Sequence, residues 1–192
     1  MAYPLPTRQW NASEDVVVEF LNRLWQTKLK GITVFERWLS KTSDVEILTG
    51  LKTQLIDERR HLRFLGDEVT RLGGRLSAAT TENVLSRPFA IALAQPNDLY
   101  RLCAFHCGIK AYTVDRCGHL IPLVGAGLAR TLEQIAREEQ GHIRWAEIRL
   151  TRALSGEDGR QLSLLSARMK ASLEAAWARS RLPRAPRGRF LA

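Results

Sequence analysis

Apolar residues recur at spacings of three and four along most of the chain, and this periodicity constrains the fold more than any other feature. In the N-terminal part the stripe consists of Val17, Leu21, Leu24, Gly31, Phe35 and Trp38. Such spacing places side chains on one face of an α-helix, whereas a strand would require strict alternation of apolar and polar residues. Glycine and proline interrupt the pattern at only a few points. The sequence therefore predicts an all-α protein made of long helices.

Five helices are predicted, with bounds taken from apparent capping boxes at Asn11 and Ser43 and from glycine stops. They span residues 11–40, 43–72, 96–118, 126–154 and 159–180. The joints near residues 42 and 124 are short, so each flanking pair of helices forms an antiparallel hairpin. The segment 74–95 is long and contains an apolar stretch, 89–94, that is predicted as a short helix. Two hairpins joined by a long crossover form a ferritin-like four-helix bundle, here with an added fifth helix at the C-terminus.

The size and composition of the chain fit one domain with a hydrophobic core. It has 192 residues, of which 45% are apolar and 26% charged, and domains usually contain roughly 100–200 residues. We predict a single domain over residues 1–180, with the bundle core at about 11–154 and a basic tail at 181–192. No apolar run reaches the roughly 18–20 residues of a membrane span, and no secretory signal is recognisable. Three cysteines without a C-x-x-C spacing favour a reduced protein, which we expect in the cytoplasm.

Two tetrapeptides of the pattern E-x-x-H mark the candidate site. Glu58 and His61 lie in the second predicted helix, and Glu139 and His142 lie in the fourth. Residues three apart share a helix face, so each glutamate converges with its own histidine. Both motifs begin about 15 residues beyond a hairpin turn, roughly 23 Å along the helix, so they should meet at one level of the bundle. Carboxylate and imidazole groups on facing helices are the ligands of di-metal carboxylate bundles.

Two segments resemble a known family. The segment 137–145, REEQGHIRW, resembles the fourth-helix motif of bacterioferritins, and the segment 27–35, TKLKGITVF, resembles their first-helix motif. The resemblance covers roughly residues 11–154. It implies the ferritin-like superfamily of di-iron carboxylate bundles, which also includes the rubrerythrins. It further implies one glutamate from each of the two remaining helices and iron that reacts with dioxygen, with substrates ranging from iron itself to tRNA bases and quinones.

The first helix has no glutamate at the height of the site. By the rise per residue, the level of Glu58 falls near residues 25–28, which leaves Glu36 about 12–16 Å away and Glu19 about 9 Å or more away. Lys28 is the inward-facing residue at that height. In the alignment with the family motif, Lys28 stands where the family has its glutamate.

The third helix contains no glutamate at all. The level of Glu139 falls near residues 106–111, so Lys110 and then His106 are the candidates, with Cys107 as a further inward-facing residue. With both lysines inward, two carboxylates and two ammonium groups sum to zero charge without any metal.

Three states of the site therefore stay open: a di-iron centre, a mononuclear or altered site for iron or another divalent metal, and a metal-free site. The metal ligands would be Glu58, His61, Glu139 and His142. In the metal-free state, Lys28 would form an ion pair with Glu58 or Glu139 in place of the cation. Lys110 or His106 would be a further residue that modifies the site in this way.

Three functions follow as hypotheses: an iron-dependent oxidase or oxygenase, a metal-free binding or interaction protein of the same fold, and a nucleic-acid-associated protein. The last rests on the net charge of +9, because an arginine-rich tail supplies five of these charges. These arginines are Arg179, Arg181, Arg184, Arg187 and Arg189. The many large apolar residues of the first helix also lead us to expect a homodimer formed through helix faces.

Overall fold

The structure, a computed structural model, describes residues 14–77, 82–153 and 157–178, and every regular element in these ranges is helical. The six helices are α1 (Glu14–Leu39), α2 (Val45–Arg71), α3 (Glu82–Leu93), α4 (98–120), α5 (Ala126–Ala153) and α6 (Glu157–Ala178). Helix α4 consists of an α-helical turn Asp98–Leu102, a π-helical segment Cys103–Lys110 and an α-helical end Ala111–Leu120. The predicted all-α class is confirmed.

The helix bounds differ from the expected ones where local signals were misread. The cap of α2 is Asp44 and not Ser43, because the Asp44 carboxylate accepts a 3.0 Å hydrogen bond from the backbone N–H of Ile47. The short helix expected at 89–94 is the end of the longer α3, which continues through Pro88. The capping box expected at Asn11 and the basic tail lie outside the described residues.

The direction of the helices follows from the contacts between them. Helices α1 and α2 pack together across a short turn, and α4 and α5 do the same. His106 meets Gln54 and Lys110 meets Glu58, and both pairs are 52 residues apart, so α2 and α4 run parallel. In contrast, the ion pairs between α2 and α5 join later residues of one helix to earlier residues of the other, so these helices are antiparallel. The order along the chain is thus up, down, down, up.

Helix α1 is enclosed by its own chain. Helix α3 lies against it, with the Lys30 ammonium donating a 2.9 Å hydrogen bond to Ser86, and α6 brings Trp177 edge-on to Phe20 at 5.0 Å between ring centres. Within α1, Leu29 is the exposed large apolar side chain, at 38%. Most of the apolar residues that led us to expect a homodimer thus pack against other helices of the same chain, and the homodimer stays a prediction.

Helix α6 also fixes the position of α4. A Cβ atom on Gly108, in the π-helical segment, would lie 2.6 Å from the Cβ of Met169, so the two backbones meet closely and only a glycine fits. None of the described helices combines the length and the apolar character that crossing a membrane requires.

Candidate functional site

One charged side chain from each of four helices meets at the centre of the molecule. Lys28 of α1 and Lys110 of α4 alternate there with Glu58 of α2 and Glu139 of α5, and we call these four residues the charge quartet. Each is at most 3% exposed. A single site therefore links all four helices of the bundle.

Each ammonium group of the quartet bridges both carboxylates. Lys28 Nζ lies 3.1 Å from Glu58 Oε2 and also contacts Glu139 Oε1. Lys110 Nζ lies 2.6 Å from Glu139 Oε2 and also contacts Glu58 Oε1. All four carboxylate oxygens thus face an ammonium group, and the formal charges of the quartet sum to zero.

Local packing explains why the two lysines reach this position. Lys28 lies within the buried stripe of α1, and Gly31 one turn later leaves room for the Phe105 ring, 3.4 Å from where a Cβ would be. Lys110 is the last residue of the π-helical segment, a wider turn that shifts the helical register and often occurs at functional sites. Its ammonium group lies 5.3 Å from the Phe35 ring centre and 5.7 Å from that of Phe105, which favours a cation.

The ion pairs also shift the titration of the buried groups. Burial alone would lower the pKa of the Lys28 ammonium, but the carboxylates of Glu139 and Glu58 outweigh this effect and raise the pKa above its ordinary value. Burial would likewise raise the pKa of Glu139, but Lys110 and Lys28 outweigh it and hold that pKa well below the usual range. The charged forms of Lys28 and Glu139 therefore stabilise each other.

The two histidines of the E-x-x-H motifs lie beside the quartet. His61 Nδ1 is 3.3 Å from Glu139 Oε1, and its Nε2 is 2.6 Å from Glu138 Oε2. His142 Nδ1 is 3.2 Å from the Lys110 ammonium, and its Nε2 is 3.0 Å from Asp57 Oδ2. Each histidine thus bridges the buried quartet and a partly exposed carboxylate on the opposite helix.

Three residues of this surrounding network were missed by the sequence reasoning. The Arg60 guanidinium lies 2.7 Å from both Asp57 and Glu138 and so connects the two carboxylates. The sequence signal was present, because an acidic residue immediately precedes the glutamate of each motif.

His106 lies in the core but does not contact the carboxylates of the quartet. Its Nε2 lies 2.9 Å from Gln54 Oε1, and its ring packs between the rings of Phe35 and Trp145. Burial, followed by the charge of Lys110, holds the pKa of His106 well below its ordinary value. Of the two candidates on the third predicted helix, Lys110 is the one at the site.

The ligand set does not fit the di-iron centre that the family resemblance implies. Glu58, Glu139 and His142 do have donor atoms within 4.8 Å of one another. However, every carboxylate oxygen of the two glutamates already faces an ammonium group, and the positions that should supply two further carboxylates are occupied by Lys28 and Lys110. A divalent cation would add two positive charges to a neutral and buried set of groups.

Comparison with known proteins adds no relative. No protein-family model, curated protein or solved structure matches the chain. The resemblance to the ferritin-like superfamily therefore stays a prediction from the sequence, based on the two E-x-x-H motifs and the short segments that resemble bacterioferritins.

Proposed function

We propose that the chain is a ferritin-like bundle whose di-metal centre has been replaced by a metal-free salt-bridge core. On this proposal it acts as a binding or interaction protein and not as an iron-dependent oxidase. The supporting features are the up, down, down, up order of the helices and the pairing of the two E-x-x-H motifs at one level. The observation that carries the proposal is that both ammonium groups of the quartet contact both carboxylates.

The physical argument concerns what a buried carboxylate needs. Two carboxylates removed from water require compensating charge, and a di-metal bundle supplies it as bound cations. In this protein, the side-chain ammonium groups of Lys28 in α1 and Lys110 in α4 supply the compensating charge. Such a core needs no metal for folding and offers no open coordination position for dioxygen.

The metal content of the protein tests this proposal. We expect no stoichiometric metal in the purified protein after expression with added iron or manganese, as measured by elemental analysis. The double variant Lys28→Glu/Lys110→Glu would carry four carboxylates and two histidines, and we expect it to bind about two metal ions per chain. A matched control is Lys52→Glu, because Lys52 is an exposed lysine of α2 whose substitution leaves the site unchanged. About two metal ions in the wild-type protein would contradict the proposal.

A mononuclear site is the second candidate, because Glu58, Glu139 and His142 have donor atoms within 4.8 Å of one another. It would require the metal to displace both ammonium groups. It predicts about one metal ion per wild-type chain and its loss in His142→Ala, and an oxidase activity would be sought only in that case. The nucleic-acid hypothesis concerns arginines of residues 179–192, which lie outside the described residues; it predicts binding that weakens steeply with salt and disappears when these residues are deleted.

A further inference from the structure

We propose that the charge quartet also forms a covalent bond: an amide between Lys28 Nζ and the side-chain carboxyl carbon of Glu139, which would link α1 to α5. This inference rests on the metal-free core proposed above, because a bound cation would hold Glu139 as a ligand. An amine and a carboxyl group form an amide with the release of one water molecule, so the reaction needs no oxidant and no cofactor. Four neighbouring groups occupy the positions that this reaction requires.

The first requirement is a nucleophile held against its target. Lys28 Nζ contacts Glu139 Oε1, and the two residues are 3% and 0% exposed. Holding two reactants in contact replaces an encounter in solution by an intramolecular step, which is worth several orders of magnitude in rate. The charged forms favour each other in this site, so the reaction must pass through the neutral amine and carboxyl group, which a direct proton transfer across this contact produces without water.

The second requirement is a base that accepts a proton from the amine. Glu58 Oε2 lies 3.1 Å from Lys28 Nζ and belongs to a different helix from Glu139. It is a carboxylate that stays paired with Lys110, so it is held in place throughout. Glu58 therefore fits the role of general base.

The third requirement is stabilisation of the negative charge that develops on the attacked carboxyl group. Lys110 Nζ lies 2.6 Å from Glu139 Oε2, the oxygen that would carry this charge in the tetrahedral intermediate. A fixed ammonium at this distance in a dry site acts as an oxyanion hole does.

The fourth requirement is an acid for the departing oxygen. His61 Nδ1 lies 3.3 Å from Glu139 Oε1 and has no hydrogen-bond partner among the described residues, although it is fully buried. The other ring nitrogen is held by Glu138, 2.6 Å away, which fixes the ring and connects it to the protein surface. His61 is thus placed to pass a proton to Oε1 as this atom leaves as water.

The atoms and charges of the reaction balance. Lys28 Nζ loses two protons, one to Glu139 Oε1 and one to Glu58, while one C–N bond forms and one C–O bond of Glu139 breaks. Oε1 leaves as water with the proton from Lys28 and a second proton from His61, and Glu58 then returns its proton to His61, whose Nδ1 lies 3.9 Å from Glu58 Oε2. One positive and one negative charge disappear together, so the remaining Lys110–Glu58 pair stays neutral. An amide between Lys110 and Glu58 is the alternative bond. His61, the proposed acid, lies 3.9 Å from Glu58 Oε2, which faces Lys28 and not Lys110, so this bond would lack a well-placed acid.

The mass of the intact, denatured protein tests the inference. The full-length wild-type chain is purified, incubated for several days at physiological temperature and analysed in parallel for metal content. We expect a mass lower by one water molecule, and a proteolytic fragment in which the peptide of Lys28 is joined to that of Glu139. Because the wild-type chain is measured, the result does not depend on whether a variant folds.

Variants then separate the roles of the groups. Lys28→Met should retain the full mass, whereas the matched control Lys30→Met on the same helix should still lose water. Glu58→Gln should form the bond about a hundredfold more slowly or worse if Glu58 is the base. A folded, metal-free wild-type chain that keeps its full mass would overturn the amide and leave the ion-pair core standing. A bond located between Lys110 and Glu58 would overturn the assignment, and bound metal would overturn both proposals.

Discussion

At the scale of single residues, the burial of Lys110 requires explanation, because a lysine is seldom found in a protein core. Its ammonium group contacts Glu58 and Glu139, so removing it would leave the carboxylates short of one positive charge. Loss of one partner from a buried ion pair typically costs about 3–5 kcal/mol. We expect Lys110→Met to lower the free energy of unfolding by about this amount in urea titrations, whereas Lys52→Met on the exposed face of α2 should change it by about 0.5 kcal/mol or less. If charge and not volume is responsible, adding Glu58→Gln to Lys110→Met should restore part of the loss, and an additive double variant would contradict this explanation.

At the scale of helices, the contact between α2 and α5 depends on one glycine. A Cβ atom on Gly50 would lie 2.0 Å from Cζ2 of Trp145, and the indole is covered on one face by the Arg149 guanidinium, 4.2 Å from the ring centre. We expect Gly50→Ala to destabilise the protein by about 1–3 kcal/mol, because the helices must separate or the indole must move. Gly141→Ala in α5 is the matched control, since nothing lies within 4 Å of its Cβ position. There the better helix propensity of alanine should stabilise the protein by up to about 1 kcal/mol. Thermal unfolding of both variants measures the difference, and equal effects would contradict the steric explanation.

The helices also show which parts of the fold and of the site can be predicted from the sequence. The long helices were predictable because capping, glycine stops and apolar spacing are local signals. Lys28 was predictable at the height of Glu58, and Lys110 at the height of Glu139, because the rise per residue of a helix is constant. The π-helical segment was not predictable, since it forms where α4 meets α6 and depends on packing between distant parts of the chain. The pairing of each histidine with an acid on the opposite helix also required the fold.

At the scale of the whole molecule, the two hairpins are joined by charge as well as by apolar packing. Two sets of ion pairs connect α2 and α5 beside the quartet. In one of them, Glu138 of α5 pairs with both His61 and Arg60 of α2. Burial would raise the pKa of Glu138, but hydrogen bonds from these two residues outweigh it and lower the pKa from 4.5 to about 2. Between pH 4.5 and about 2, the native state therefore binds fewer protons than the unfolded state. The contribution of Glu138 to the stability of the native state is complete above pH 4.5 and is lost as the pH falls towards 2.

This linkage predicts how the stability of the whole molecule responds to acid. We expect the free energy of unfolding to decrease as the pH falls below about 4.5, and Glu138→Gln to make that decrease shallower, because the variant has no proton to take up at this position. The variant should be less stable than the wild type at neutral pH and approach it in acid. Glu133→Gln is the control, since Glu133 is exposed on the same helix and should leave the profile of the wild type unchanged. Urea titrations over this pH range measure the effect. A parallel loss of stability in Glu138→Gln and wild type at every pH would mean that Glu138 acts through packing alone, and the connection between the hairpins at this point would not be electrostatic.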